Sequence, residues 1–207
     1  MLNDPQIFGL FPKPVILTNI NREFTKQERD FFDHHSKFTT KNVGNLTSAD
    51  NYLTRHPQMA TIKQEITDSL QMFFDNIIKP SVEVRSYITQ AWLNYTYNNQ
   101  YHHKHNHANT FLSGVLYIDT DPETDKITFF DDAYYPFKFA PKEWNWYNAE
   151  SWFFKVKPGD IIVFPSWLTH AVEATVNPNI RTSLAFNSFL KGQIGTDENL
   201  TELMLTE

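Results

Sequence analysis

The sequence predicts an all-β core with flanking helices, arranged as a sandwich or jelly roll, and two observations carry the prediction. From residue 82 onward the chain is a series of short runs rich in Val, Ile, Phe, Tyr, Trp and Thr, punctuated by turn residues. No helical pattern separates these runs, which argues against a parallel sheet. Before residue 80, apolar residues instead recur at helical spacing, so the helices should pack together on one outer face of the sheets. The 207 residues give room for one domain with a single large core. Its parts are a helical support over residues 1–80, a β core over 81–190 and a tail over 191–207.

In chain order, residues 14–20 read as a short extended piece. Thr25-Lys26-Gln27-Glu28 has the spacing of a capping box, in which each end residue satisfies the other's backbone N–H, and predicts a helix to about residue 38. Residues 41–56 are polar and turn-rich and read as a loop. Ile62, Ile66, Leu70, Phe73 and Ile77 then form one helical stripe, which Pro80 stops. The strands expected beyond it cover residues 82–97, 111–119, 127–130, 152–156, 161–164, 170–175 and 181–189. Turns at Asp121-Pro122, Pro158-Gly159 and Asn177-Pro178-Asn179 separate several of them.

Composition excludes several classes of function. Aromatic residues make up 15% and charged residues 20%, which rules out a disordered or collagen-like chain. The net charge is −6 and the 18 Lys and Arg form no basic run, so the sequence advertises no nucleic-acid surface. With no Cys there is no disulfide framework, zinc-thiolate site or cysteine nucleophile, and any metal must sit on His, Asp or Glu. No apolar run is long enough to span a membrane, and the first residues lack the order of a secretory signal, so a soluble cytoplasmic protein is expected. Abundant Asn, Phe and Ile with only 6 Gly hint at an AT-rich source, such as a marine bacterium or a virus.

The histidines carry the chemistry. Four of the 8 lie in Tyr101-His102-His103-Lys104-His105-Asn106-His107, and His170 stands far downstream. In an extended strand His103, His105 and His107 share a face, successive members lying about 6.8 Å apart and the outer two about 13 Å apart. One metal can therefore take an adjacent pair, with His170 as the distant partner, but not all three. Pro158-Gly159-Asp160, a buried strand and the bend at Pro165 deliver His170 to one rim of the barrel. Arg181 and Ser183 open the last long strand on one face, and the planar fork of a buried guanidinium suits a carboxylate, whether a ligand's or a structural partner's.

His105-Asn106-His107, Ser113-Gly114-Val115-Leu116-Tyr117, Phe129-Phe130-Asp131, Pro158-Gly159-Asp160, Phe164-Pro165-Ser166-Trp167, His170 and Arg181-Thr182-Ser183 form an ordered set. The set resembles a family of 2-oxoglutarate- and Fe(II)-dependent oxygenases found in bacteria and marine phages, from about Ala91 to Phe189. The resemblance implies a double-stranded β-helix, a jelly roll of the cupin-like barrel type. It also implies Fe(II) on His105, His107 and His170, with His103 left out. The 2-oxoglutarate cosubstrate would lie with its distal carboxylate on Arg181, Ser183 acting as a second donor. Asn94 and Tyr117 are either further donors to it or ordinary strand residues satisfied locally.

Most members of the wider superfamily carry an acid where this chain has His107. Either three histidines alone hold the metal, the favoured reading, or Asp131, Asp132 or Glu173 completes the site. The expected reaction uses dioxygen to hydroxylate a peptide, nucleobase or small molecule, forming succinate and CO2. Trp92, Tyr134 and Trp146 are the candidate substrate contacts. The aromatic stretch over residues 132–154 reads as a substrate wall or, for most of its rings, as a cap on the core. Two other functions compete: a cupin-like metalloprotein that does not use 2-oxoglutarate, and a non-catalytic jelly roll, for example a virion component. Association into a homo-oligomer is left open.

Overall fold

Antiparallel pairing organises the computed structural model, which describes residues 6–133, 136–174 and 178–206. In chain order the elements are β1 (Ile16–Asn19), α1 (Lys26–His35), β2 (Thr39–Lys41), β3 (Leu46–Ser48), α2 (Ala60–Phe73), β4 (Val84–Thr96), β5 (His102–His105) and β6 (Leu112–Asp119). They continue with β7 (Lys126–Phe130), β8 (Ser151–Lys155), β9 (Asp160–Pro165), β10 (His170–Val172), β11 (Arg181–Ile194) and β12 (Leu203–Leu205). One sheet has the order β1-β9-β6-β11-β4-β3-β2, with β12 joined to β11, and β5-β10-β7-β8 form the other. Tyr117, Ile162 and Phe164 of the first sheet pack against Ile127 and Phe129 of the second, so the two inner faces share one apolar filling. This is the expected double-stranded β-helix.

The outer face of the larger sheet carries the helices. Leu93, Leu112, Leu116, Leu184 and Phe186 pack with Ile62, Ile66, Leu70 and Phe73 of α2 and Phe31 and Phe32 of α1. Full burial of each large apolar side chain contributes about 1.5–3 kcal/mol. Gly114 permits the close approach, since a Cβ there would lie 2.3 Å from the Phe186 ring and 2.5 Å from the Ile162 carbonyl oxygen. The turn before β9 likewise needs Gly159, whose φ is +84°.

The capping box forms as expected: the Glu28 N–H donates to Thr25 Oγ1 (3.2 Å) and the Thr25 N–H to Glu28 Oε2 (2.7 Å). Arg22 then donates to both Glu28 oxygens at 2.8 Å, and to Glu65 of α2 at 2.6 and 2.8 Å, tying the two helices together.

Several expectations need correction. Ile77 leaves the α2 stripe and is 37% exposed, because residues 74–78 widen into a π-turn and Phe74 takes the core position instead. Residues 41–56 are more than a loop: β3 pairs with β4, Leu46 opposite Tyr95 and Thr47 opposite Asn94. No local pattern announces a strand of three residues whose pairing partner lies almost fifty residues away. The support region thus adds three strands to the larger sheet. At the other end β11 runs on to Ile194, and β12 pairs back onto it. Most rings of the aromatic stretch do not cap the core: Phe137, Phe139, Trp144, Trp146 and Tyr147 are exposed, held in turns outside both sheets. Among the described residues no helix is long and apolar enough to cross a membrane.

Candidate metal centre

Strand register and one bend assemble three histidines. His105 ends β5 directly opposite His170 of β10. His107 follows the strand, and its N–H donates to the Ser166 carbonyl at 2.9 Å. Ser166 lies in the bend between β9 and β10, which the Leu168 N–H closes onto the Pro165 carbonyl at 2.9 Å. The same bend therefore fixes the His107 backbone and launches His170.

One ring nitrogen from each of His105, His107 and His170 lies within 4.8 Å of the others. His105 Nδ1 is 2.7 Å from the His103 carbonyl oxygen and His170 Nδ1 is 3.0 Å from that of Leu168. A carbonyl oxygen only accepts, so both Nδ1 atoms carry the proton and both Nε2 atoms keep the lone pair. The His170 Nε2 lies 3.4 Å from His107 Nε2. Burial first, then the neighbouring imidazoles, pushes His170 down to about 2 and His107 to about 4; burial also lowers His105. Three neutral nitrogen donors converge, and their chemistry fits iron, zinc, nickel or copper.

His103 lies outside that group but belongs to another. β5 takes three steps from His102 to His105 while β10 takes two from Val172 to His170, so a bulge interrupts the alternation of side chains. His102, His103 and His105 consequently form a second group with nitrogens within 4.8 Å. No carboxylate joins either group among the described residues. Asp131 pairs with Lys13, Asp132 with Lys104 and the Thr169 hydroxyl, and Glu173 with Lys126.

The four expected cosubstrate residues share the inner face of the larger sheet. Ser183 of β11 stands opposite Asn94 of β4 on one side and Tyr117 of β6 on the other, and Arg181 stands two residues along. The Tyr117 hydroxyl is buried without a hydrogen-bond partner. Arg181 donates to Asp125 at 3.1 Å, in an ion pair that is 7% and 2% exposed. Asp125 also accepts the Asp121 N–H at 2.9 Å. Sequence reasoning missed Asp125, whose place just before β7 marks it only as a turn residue.

A cavity of about 320 Å³ opens beside the histidines, lined by Lys41, Asn42, Asn51, Gln90, Trp92 and His102, among others. The Trp92 ring lies 6.4 Å from that of His107. Trp146 is not part of this lining and stacks on Trp152 at 4.2 Å, while Tyr134 lies outside the described residues. Asn42 and Asn45, inside the segment read as a loop, form an amide chain to the site. Asn42 donates to Asn45 (2.9 Å) and to His102 Nε2 (3.3 Å), and Asn45 donates to Asn94 (3.4 Å).

Two sheets closed around a histidine-lined mouth give the molecule a double-stranded β-helix fold. Residues 90–187 match the family model described as "Putative 2OG-Fe(II) oxygenase". Solved structures with the same fold include a 2OG-Fe(II) oxygenase family oxidoreductase from Burkholderia pseudomallei, with 17% identity, a TM-score of 0.54, and 84% of this chain and 83% of that one covered. HygX from Streptomyces hygroscopicus, solved with nickel, 2-oxoglutarate and hygromycin B, shares 11% identity with a TM-score of 0.57 over 85% and 82% of the chains. A Pseudomonas putida prolyl-4-hydroxylase shares 11% with a TM-score of 0.50 over 84% and 92%. No curated protein matches the sequence.

Proposed function

We propose that this chain is a 2-oxoglutarate-dependent oxygenase in which His105, His107 and His170 hold Fe(II) and the inner face of β4, β6 and β11 takes the cosubstrate. The observation that carries the reading is the convergence of neutral ring nitrogens, two with their tautomer fixed by a backbone carbonyl. When bound, iron and 2-oxoglutarate supply the oxidation: one oxygen atom of O2 enters succinate, the other enters a substrate C–H bond, and CO2 leaves. The chain's part is placement and the exclusion of water. Phe164 and Phe129 pack on the His170 ring, with centroids 4.7 and 6.0 Å away, and keep that side dry.

Arg181 binds the distal carboxylate, with Ser183, Asn94 and the unpartnered Tyr117 hydroxyl as further donors. Asp125 accounts for the missing acid. Three neutral imidazoles leave the metal's charge to be cancelled by the cosubstrate dianion, and the buried Asp125 then cancels the charge of Arg181. The negative charge that most of the superfamily places on the metal stands here behind the cosubstrate. A small, hydrogen-bonding substrate, whether a peptide side chain, a nucleobase or a metabolite, stacks on Trp92 in the polar-lined cavity. The proposal includes a cytoplasmic location, of the host if the source is viral; fractionation tests it.

Anaerobic titration with Fe(II) and 2-oxoglutarate tests the site. The wild type should develop the absorption band of the chelate, and His107→Ala should not. An unchanged band in that variant would remove His107 from the metal site. His107→Asp should lose or alter succinate production. Production recovered from an inactive parent would show that the natural site had given up catalysis.

A further inference from the structure

We infer that His102, His103 and His105 build a second position for a divalent transition metal, and that an ion there excludes one on His105, His107 and His170. The inference rests on reading the latter three as the iron site. The bulge in β5 brings the rings together: the His105 centroid is 4.6 Å from that of His102 and 4.7 Å from that of His103. His103 Nδ1 is shut off from solvent with no hydrogen-bond partner, and ring stacking does not satisfy a nitrogen lone pair or N–H. Lys104, the cation of the run, turns away to Asp132 at 3.0 Å. An all-imidazole set selects ions such as zinc, nickel, cobalt or copper over magnesium or calcium. The competitor for the His102 lone pair is the Asn42 amide, whose 3.3 Å hydrogen bond is long and would give way to a bound ion.

Exclusion follows from His105. A neutral imidazole has one lone pair, and the His105 Nδ1 proton is committed to the His103 carbonyl. The two positions must therefore share the Nε2 lone pair, and the chain holds one ion, not two. His102, His103, His105 and His107 all line the open cavity, whereas His170 is 4% exposed. An ion can pass from one position to the other by exchanging two ligands while keeping His105.

The experiment uses the full metal-free chain and Co(II), followed anaerobically by equilibrium dialysis and by the visible ligand-field spectrum. Wild type should bind one Co(II) per chain. His170→Ala should still bind one, with a changed spectrum, and adding His103→Ala should weaken that binding at least about tenfold. Two ions on the wild type would overturn the exclusion. A folded His170→Ala protein that binds none would overturn the second position. Circular dichroism checks folding, and His107→Ala takes the place of His170→Ala if the latter fails to fold. Loss of all Co(II) from His103→Ala alone would instead overturn the reading of His105, His107 and His170 as the iron site.

Discussion

Two polar clusters in this molecule differ in how their hydrogen-bonding capacity is spent. Around Arg22, each charged group faces its complement: the guanidinium grips Glu28 and Glu65, and Glu28 also takes the Thr25 N–H. Around His105, like faces like: ring nitrogens converge on ring nitrogens, and His103 Nδ1 has no partner. The first arrangement is complete as it stands and joins two helices. The second lacks such a complement, and a bound cation would supply it.

The comparison is broken most severely at the buried histidine. His170→Ala should lower succinate formation by more than about a hundredfold, exceeding the usual effect of losing a second-shell partner, as a coupled assay would show. A variant with near-normal turnover would put the reaction elsewhere. Arg181→Ala should weaken 2-oxoglutarate binding about a hundredfold, measured by calorimetry, with metal affinity almost unchanged. If both affinities fell together, Arg181 would serve the fold alone.

The Arg22 cluster should respond in the opposite sense. Arg22→Ala should lower unfolding stability by about 1–3 kcal/mol in urea titration, a range discounted for its partial exposure, and leave activity per folded molecule intact. Thr25→Ala, which removes one side of the capping box, should cost about 1 kcal/mol by the same measurement.

Acid separates the clusters further. His105, His107 and His170 have folded values below their ordinary 6.5, so the unfolded chain takes up protons that the fold refuses, and metal-free stability should fall as pH drops below 6.5. For Glu28, burial works against the charge, but Arg22 and Thr25 prevail and hold it below 4.5. Its contribution is present above 4.5 and is lost only as pH falls through the folded value. The urea midpoint of the metal-free protein should thus decline between pH 7 and 5, mildly at first; a flat profile there would show that the imidazoles are easily charged.

The sequence by itself determined the strand-rich core, the capping box, the stripe of α2 and the close spacing of His105 and His107. Each is written in a local period or a short spacing, and local geometry enforces it. Tertiary structure decided what depends on pairing between remote segments. The bulge that gathers His102 and His103 exists only because β5 lies against β10. Asp125 meets Arg181, 56 residues away, and Asn42 and Asn45 reach the site because β3 joins β4. The exposure of the aromatic stretch belongs to the same group, since ring content is legible in sequence but burial depends on whether another element arrives to cover it.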